Sequence, residues 1–255
     1  MLDTVRVLAE NGPIRVELAR RGRRLVVVKR LRGFHPELER RLAREADMVR
    51  KLDHEGIVPL LEARDGALIY PYLPGVDLDA ALERGPLPVA RVARIARDLL
   101  AALDCAHRLG IVHHDVKPGN VRIRGDRAVL LDFGFAKDVA LASITASRQA
   151  LGTPNYMAPE QFAGRRDDPR SDLYGVAASC YHALAGRPPY GRDVLRVLLG
   201  DLEPCLEPLP ASARPLESWV HSGLAIDPCD RPASAEAMRA ALDAACAGAA
   251  PAAPA

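Results

Sequence analysis

The chain has 255 residues, 49% of them hydrophobic and 27% charged, with a formal net charge of +2 at pH 7. That balance excludes a protein dominated by disorder and suits one large globular domain or two lobes sharing a core. The charge is uneven: residues 1–53 hold 14 Lys or Arg against 8 Asp or Glu, so the remainder is net acidic.

Residues 1 to 31 read as strands. Ile14, Val16 and Leu18 alternate with polar neighbours, and Leu25 to Val28 form an apolar run ending at Lys29. The basic run Arg20-Arg21-Gly22-Arg23-Arg24 has the composition of a nucleic-acid patch. A Gly-centred run between two apolar strands is better placed as a solvated hairpin turn, and no nucleic-acid partner is expected. A helix follows, with Pro36 suited to its first turn and Leu38, Leu42, Ala46, Val49 and Leu52 at helical spacing. Glu45 sits beside that stripe and leans inward, where a carboxylate needs a cationic partner.

The stretch "ALIYPYLPG" (67–75) is an apolar strand broken by Pro71 and Pro74, after which the pattern turns helical. Residues 88–109 carry Val89, Val92, Ala96, Leu99, Leu103 and Ala106 at helical spacing, with Gly110 as the cap. Residues 172–185 are apolar nearly all round, which predicts a helix buried within a helical lobe, with Ser171 as its N-cap candidate. The expected architecture is α+β and bilobal: a small antiparallel sheet with one helix over 1–72, a mostly helical lobe over 73–244, and an Ala/Pro-rich tail over 245–255.

Five cysteines (Cys105, Cys180, Cys205, Cys229, Cys246) are scattered without a CxxC pair, so neither a disulfide framework nor a zinc site is expected. The N-terminus lacks a charged-then-apolar leader pattern, and no apolar run approaches the ~20 residues that span a bilayer. A soluble, cytoplasmic chain without a membrane span is the expectation.

The chemistry concentrates in "IVHHDVKPGN" (111–120), where an acid, a base and an amide stand within a few residues. Alone, Asp115 reads as a turn residue or cap, Lys29 as a strand-end surface charge and Asn120 as a turn former. Their order says more. "VVVK" ends at Lys29, "HHDVKPGN" spans 113–120, "DFG" is Asp132-Phe133-Gly134, "GTPNYMAPE" spans 152–160, and "SDLYG" and "DRP" begin at Ser171 and Asp230. On these motifs the chain, from about Leu8 to Leu242, resembles a eukaryotic-type protein kinase domain and is most similar to the bacterial serine/threonine kinases.

The resemblance implies transfer of the γ-phosphoryl group of ATP to Ser or Thr hydroxyls of proteins, the chain itself included, with Mg²⁺ as the ion and Mn²⁺ as an alternative. A dimer would serve phosphorylation in trans. Such transfer needs charge neutralisation and an in-line hydroxyl more than covalent chemistry. Asp115 would accept or orient the hydroxyl proton, and Lys117 would steady the γ-phosphate. Asn120 and Asp132 offer the hard oxygens that Mg²⁺ takes, and Lys29 would grip the α- and β-phosphates while Glu45 holds it in place. By the same resemblance, Glu160 would pair with Arg231, Asp172 would bond backbone near His113, and His113 would pack on the segment of Phe133. Thr153 would bridge to Asp115 and Lys117 and favour Ser/Thr acceptors, while Ser143, Thr145 and Ser147 are either phosphorylation sites or plain loop hydroxyls.

Three departures stand out. "LAENGPIRV" puts Ala9, Asn11 and Ile14 where the family has glycines, retaining Gly12 and then Val16 over the nucleotide, and Pro13 removes a donor outright; Asn11-Gly12 reads as a hairpin turn. His114 replaces a frequent Arg that pairs with a phosphorylated ribbon, which implies weaker dependence on that modification. Tyr70-Pro71-Tyr72 stand where Met, Glu and Tyr are frequent, leaving the Pro71 C=O and Leu73 N–H for the adenine, with Tyr70 narrowing the pocket behind it. The degraded loop motivates an alternative, a binding or scaffold module of the same fold without transfer. A small-molecule phosphotransferase is disfavoured by "GTPNYMAPE", the peptide platform in protein kinases.

Overall fold

The computed structural model describes residues 2–33, 35–133, 154–165 and 167–248. The first layer is an antiparallel sheet of β1 (Asp3–Asn11), β2 (Ile14–Arg21), β3 (Arg24–Leu31), β4 (Glu62–Arg64) and β5 (Ala67–Pro71), in the order β1-β2-β3-β5-β4. The basic run does form a hairpin turn: Arg21 pairs with Arg24 across Gly22 and Arg23. The first turn departs from the expectation by one residue. Asn11 pairs with Ile14, so the turn residues are Gly12, at φ +56°, and Pro13, which has no N–H to give to a ladder and is therefore pushed out of the strand.

One helix, α1 (Pro36–Val49), crosses this sheet with Pro36 in its first turn and Leu42, Glu45, Ala46 and Val49 buried. Leu52, the last residue of the expected stripe, is buried just beyond the helix end. A second small sheet follows, made of β6 (Val76–Asp77), β7 (Val121–Arg124) and β8 (Arg127–Leu130) in that order. It lies against α3 (Val89–Arg108), which comes after the short α2 (Leu78–Leu82). The buried stripe of α3 includes Ala96, Leu99, Leu103 and Ala106, and Gly110 follows it at φ +70°.

The remaining helices are α4 (Pro159–Phe162), α5 (Arg170–Ala185), α6 (Val194–Leu198), α7 (Glu217–Gly223) and α8 (Ala235–Gly248). α5 is the central one, buried at every position from Ser171 to Leu184 except His182. Ser171 is not its cap. The helix starts at Arg170, whose N–H donates to the Asp168 carboxylate at 2.9 Å, and the Ser171 hydroxyl donates to the Asp168 carbonyl at 2.8 Å, so Asp168 does the capping from two residues upstream. No helix among the described residues is long and apolar enough to cross a membrane.

Candidate active site

Strand alternation places Val27 and Lys29 on one side of β3, where both line a cavity of about 330 Å³ between the first sheet and the segments that follow it. At the inner end the Lys29 ammonium reaches both Glu45 oxygens, at 2.8 and 3.0 Å, and Asp132 Oδ1 at 2.5 Å. The inward lean of Glu45 is thus answered by the cation it requires. Burial works against the charge on Lys29, but the carboxylates of Asp132 and Glu45 outweigh it and hold the ammonium above the usual lysine range. Glu45 is fully buried, which pushes its carboxyl up to about 7 although Lys29 pulls the other way; the Tyr70 hydroxyl also donates to it at 3.3 Å.

The sign of that shift makes a prediction. A carboxyl raised on folding contributes stability that is present at low pH and lost as pH rises through about 7. Glu45→Gln removes the titration, so thermal melts of this variant should lose the downward slope that the wild type shows between the ordinary glutamate range and about 7. Parallel melting profiles for the two proteins would contradict the assignment.

The loop 113–120 is held from below. Asp172, on the first turn of α5, accepts the backbone N–H groups of His113 and His114, each at 2.8 Å, and contacts His107 Nε2 at 2.8 Å. Burial alone would raise that carboxyl, but the bond to His107 and the His113 backbone hold it below the usual range. This clamp supports His114 at φ +66°, a conformation that non-glycine residues adopt at a cost. His113 Nδ1 accepts the Asp115 N–H at 3.2 Å, which makes Nε2 the protonated nitrogen, donating to the Leu131 carbonyl at 2.9 Å. The His113 ring lies 4.6 Å from that of the buried Phe133, so its place is structural, as expected.

Asp115 then meets its neighbours. Asn120 Nδ2 donates to the Asp115 carbonyl at 2.8 Å and to Oδ2 at 2.5 Å, while Lys117 Nζ is 3.2 Å from the same oxygen. Asn120 and Asp132, the latter with a side chain 42% exposed, both line the cavity with oxygen-bearing side chains. These hard oxygens fit a small divalent cation, and Lys29 fits an anion between them and the sheet.

The outer cavity is built from Leu8, Val16, Val27, Leu131 and the extended segment 71–73. The Tyr72 N–H donates to the Leu25 carbonyl on the β3 side, and the Ile69 carbonyl accepts from Leu61 on the other, so alternation turns the backbone groups of Pro71 and Leu73 away from β3 towards the cavity. Of the expected site residues, Lys29, Val16, Pro71, Leu73, Asn120 and Asp132 all line this cavity; Glu45 backs Lys29, and Asp115 and Lys117 adjoin Asn120. Gly134, Ser143, Thr145, Ser147, Gly152 and Thr153 lie outside the described residues.

Some contacts that shape the site are not evident in the sequence, including the role of Gly175, which closes the "SDLYG" motif. Gly175 of α5 packs on the loop so tightly that a Cβ would stand 2.6 Å from the Val116 carbonyl, between Asp115 and Lys117. Arg122 lines the cavity from β7, and His107 shares Asp172 with the loop. The motif marked the first without showing its contact, and nothing local pointed to the others.

Comparison with known proteins bears on the family and the fold. The family model described as "Protein kinase domain" matches residues 12–241. Serine/threonine-protein kinase PknD of Mycobacterium tuberculosis is 36% identical over 205 residues, 75% of this chain and 31% of its own length. Serine/threonine-protein kinase pkn3 of Myxococcus xanthus is 36% identical over 246 residues, 87% of this chain and 45% of its own. The chain therefore matches less than half the length of these relatives. A solved chain described as "PpkA-294 apo form" superposes with a TM-score of 0.74 at 22% identity, covering 94% of this chain and 95% of that one, which shows the shared fold.

Proposed function

This chain belongs to the protein kinase domain family, and from that premise we propose that it transfers the γ-phosphoryl group of ATP to serine or threonine hydroxyls of proteins, its own among them. The observation that carries the reading is the Lys29 ammonium held between Glu45 at 2.8 Å and Asp132 at 2.5 Å, a cation fixed where the cavity meets the loop of Asp115. The base would lie against Val16, with its edge on the Pro71 C=O and Leu73 N–H, and the phosphates would extend towards Lys29. Asn120 and Asp132 would hold Mg²⁺, or Mn²⁺ in its place. When bound, that ion offsets the charge that gathers on the phosphates during transfer.

The chain's own residues do the rest. Asp115 accepts the proton of the attacking hydroxyl and orients it, and Lys117, 3.2 Å away, counters charge on the transferred group. Glu45 keeps Lys29 extended from β3, so that the ammonium stays available to the phosphates. The same reading divides the chain at residue 72, with the sheet as one lobe and residues 73–244 as the other, assigns it to the cytoplasm, and leaves room for phosphorylation in trans within a dimer.

Two tests address it. Incubation with Mg-ATP and a mixed protein acceptor should yield phosphoserine or phosphothreonine on analysis of the hydrolysate. Phosphate released only to water or to a small molecule would overturn the acceptor class, and nucleotide binding without turnover would favour the scaffold alternative. The second test concerns affinity. Between β1 and β2 the chain makes a tight Gly12-Pro13 turn with one backbone donor missing, so ATP should bind more weakly than the low micromolar range by titration calorimetry. Tighter binding would contradict this part of the account.

A further inference from the structure

We propose that Arg122 is a specificity-determining residue of the base site, setting a donor against the 2-position of the base and so selecting adenine against purines that carry a 2-amino group. The inference rests on the nucleotide reading of the cavity and extends it to the choice of base.

The residue is placed by strand geometry. On β7, Val121 and Ile123 are buried in the core, so the alternate side chains of Arg122 and Arg124 lie on the opposite face. Arg124 is exposed, whereas Arg122 is folded against the wall of the cavity with only 15% of its side chain accessible. Three contacts fix it, all to segment 72–77. Its Nε donates to the Leu73 carbonyl at 2.9 Å, its Nη1 donates to Asp77 Oδ1 at 2.8 Å, and its Cζ lies 5.8 Å from the centre of the Tyr72 ring.

The Leu73 carbonyl is one of the backbone groups turned towards the base site, and it is already taken by a donor. Along this edge a base meets, in order, an acceptor at the Pro71 C=O, a donor at the Leu73 N–H, and then the guanidinium, which has donors and no acceptor. Adenine matches: its 6-amino group donates, N1 accepts, and its 2-position carries only C–H. A 2-amino group on the same ring would bring a second donor against the guanidinium and would have to compete with Arg122 Nε for Leu73 O. A buried donor left without an acceptor weakens binding by about tenfold or more.

The test compares ATP with 2-amino-ATP, which differs from it by that one group, in wild type, Arg122→Leu and Asp77→Asn. Dissociation constants are measured by titration calorimetry, with thermal melts confirming that each variant is folded. Wild type should bind 2-amino-ATP about tenfold more weakly than ATP. Arg122→Leu frees the Leu73 carbonyl to accept the 2-amino group, and the ratio should fall to about one or reverse. Asp77→Asn leaves the Nε bond to Leu73 in place and should keep most of the discrimination. Equal binding of the two nucleotides by wild type, or the same ratio in Arg122→Leu, overturns the inference while leaving the nucleotide site intact. Failure of wild type to bind either nucleotide overturns the underlying reading, and the inference with it.

Discussion

Asp115→Asn is expected to slow phosphoryl transfer by roughly 10²- to 10⁴-fold while leaving ATP affinity within a few fold of wild type. The substitution keeps size and shape but removes the carboxylate proposed to accept the hydroxyl proton. The surroundings should tolerate it, because the loop is held by backbone bonds to Asp172 and His113 that do not depend on the Asp115 charge. Asn120 Nδ2 also bonds the Asp115 carbonyl at 2.8 Å, an attachment the variant retains. Steady-state rates with a protein acceptor, set beside calorimetric affinity for ATP, separate the two effects. A variant that keeps the wild-type rate removes Asp115 from the mechanism, and one that loses nucleotide binding altogether assigns it a different role.

Arg231→Ala should destabilise the fold by about 3–5 kcal/mol in urea denaturation, the cost of leaving a buried carboxylate without its cation. Arg231 and Glu160 are 4% and 3% exposed and meet through two parallel bonds, Nη1 to Oε1 at 2.6 Å and Nη2 to Oε2 at 2.7 Å. The same guanidinium donates to the carbonyls of Ala225, Arg170 and Ile226 and lies 5.0 Å from the centre of the Tyr174 ring. One side chain thus ties together α4, the start of α5 and the turn before α8. Arg231→Lys should recover little, since an ammonium cannot reproduce the fork. A loss below about 1 kcal/mol would mean that the pair behaves as an exposed one, against its burial.

The residues of the proposed transfer centre were legible because the chemistry restricts them to particular types at particular spacings. Lys29 and Asp132 are 103 residues apart, yet a cation at the end of a β-branched run and an acid before Phe133-Gly134 announce themselves separately, and the fold brings them to 2.5 Å. Glu45 was readable as a misfit, an acid on an apolar stripe. Arg122 was not, since alternation along β7 says that it faces away from the core without saying that the wall of the cavity lies there. Gly175 was hidden for a related reason: its value is the room it leaves for Val116, a contact made across the chain. The shift of the first turn to Gly12-Pro13 and the capping of α5 by Asp168 are local errors: strand pairing set the first by one residue, and the Asp168 carboxylate took the Arg170 N–H in the second.

The central claim is that Lys29, Asp115 and Asp132 act in one transfer centre. Intact-mass spectrometry of the dephosphorylated chain after incubation with Mg-ATP tests it most directly, with wild type run beside Lys29→Met, Asp115→Asn and Asp132→Asn. The account predicts that wild type gains the mass of one or more phosphoryl groups and that none of the three variants does. Equal gain in wild type and all three variants, or no gain in any, would contradict it.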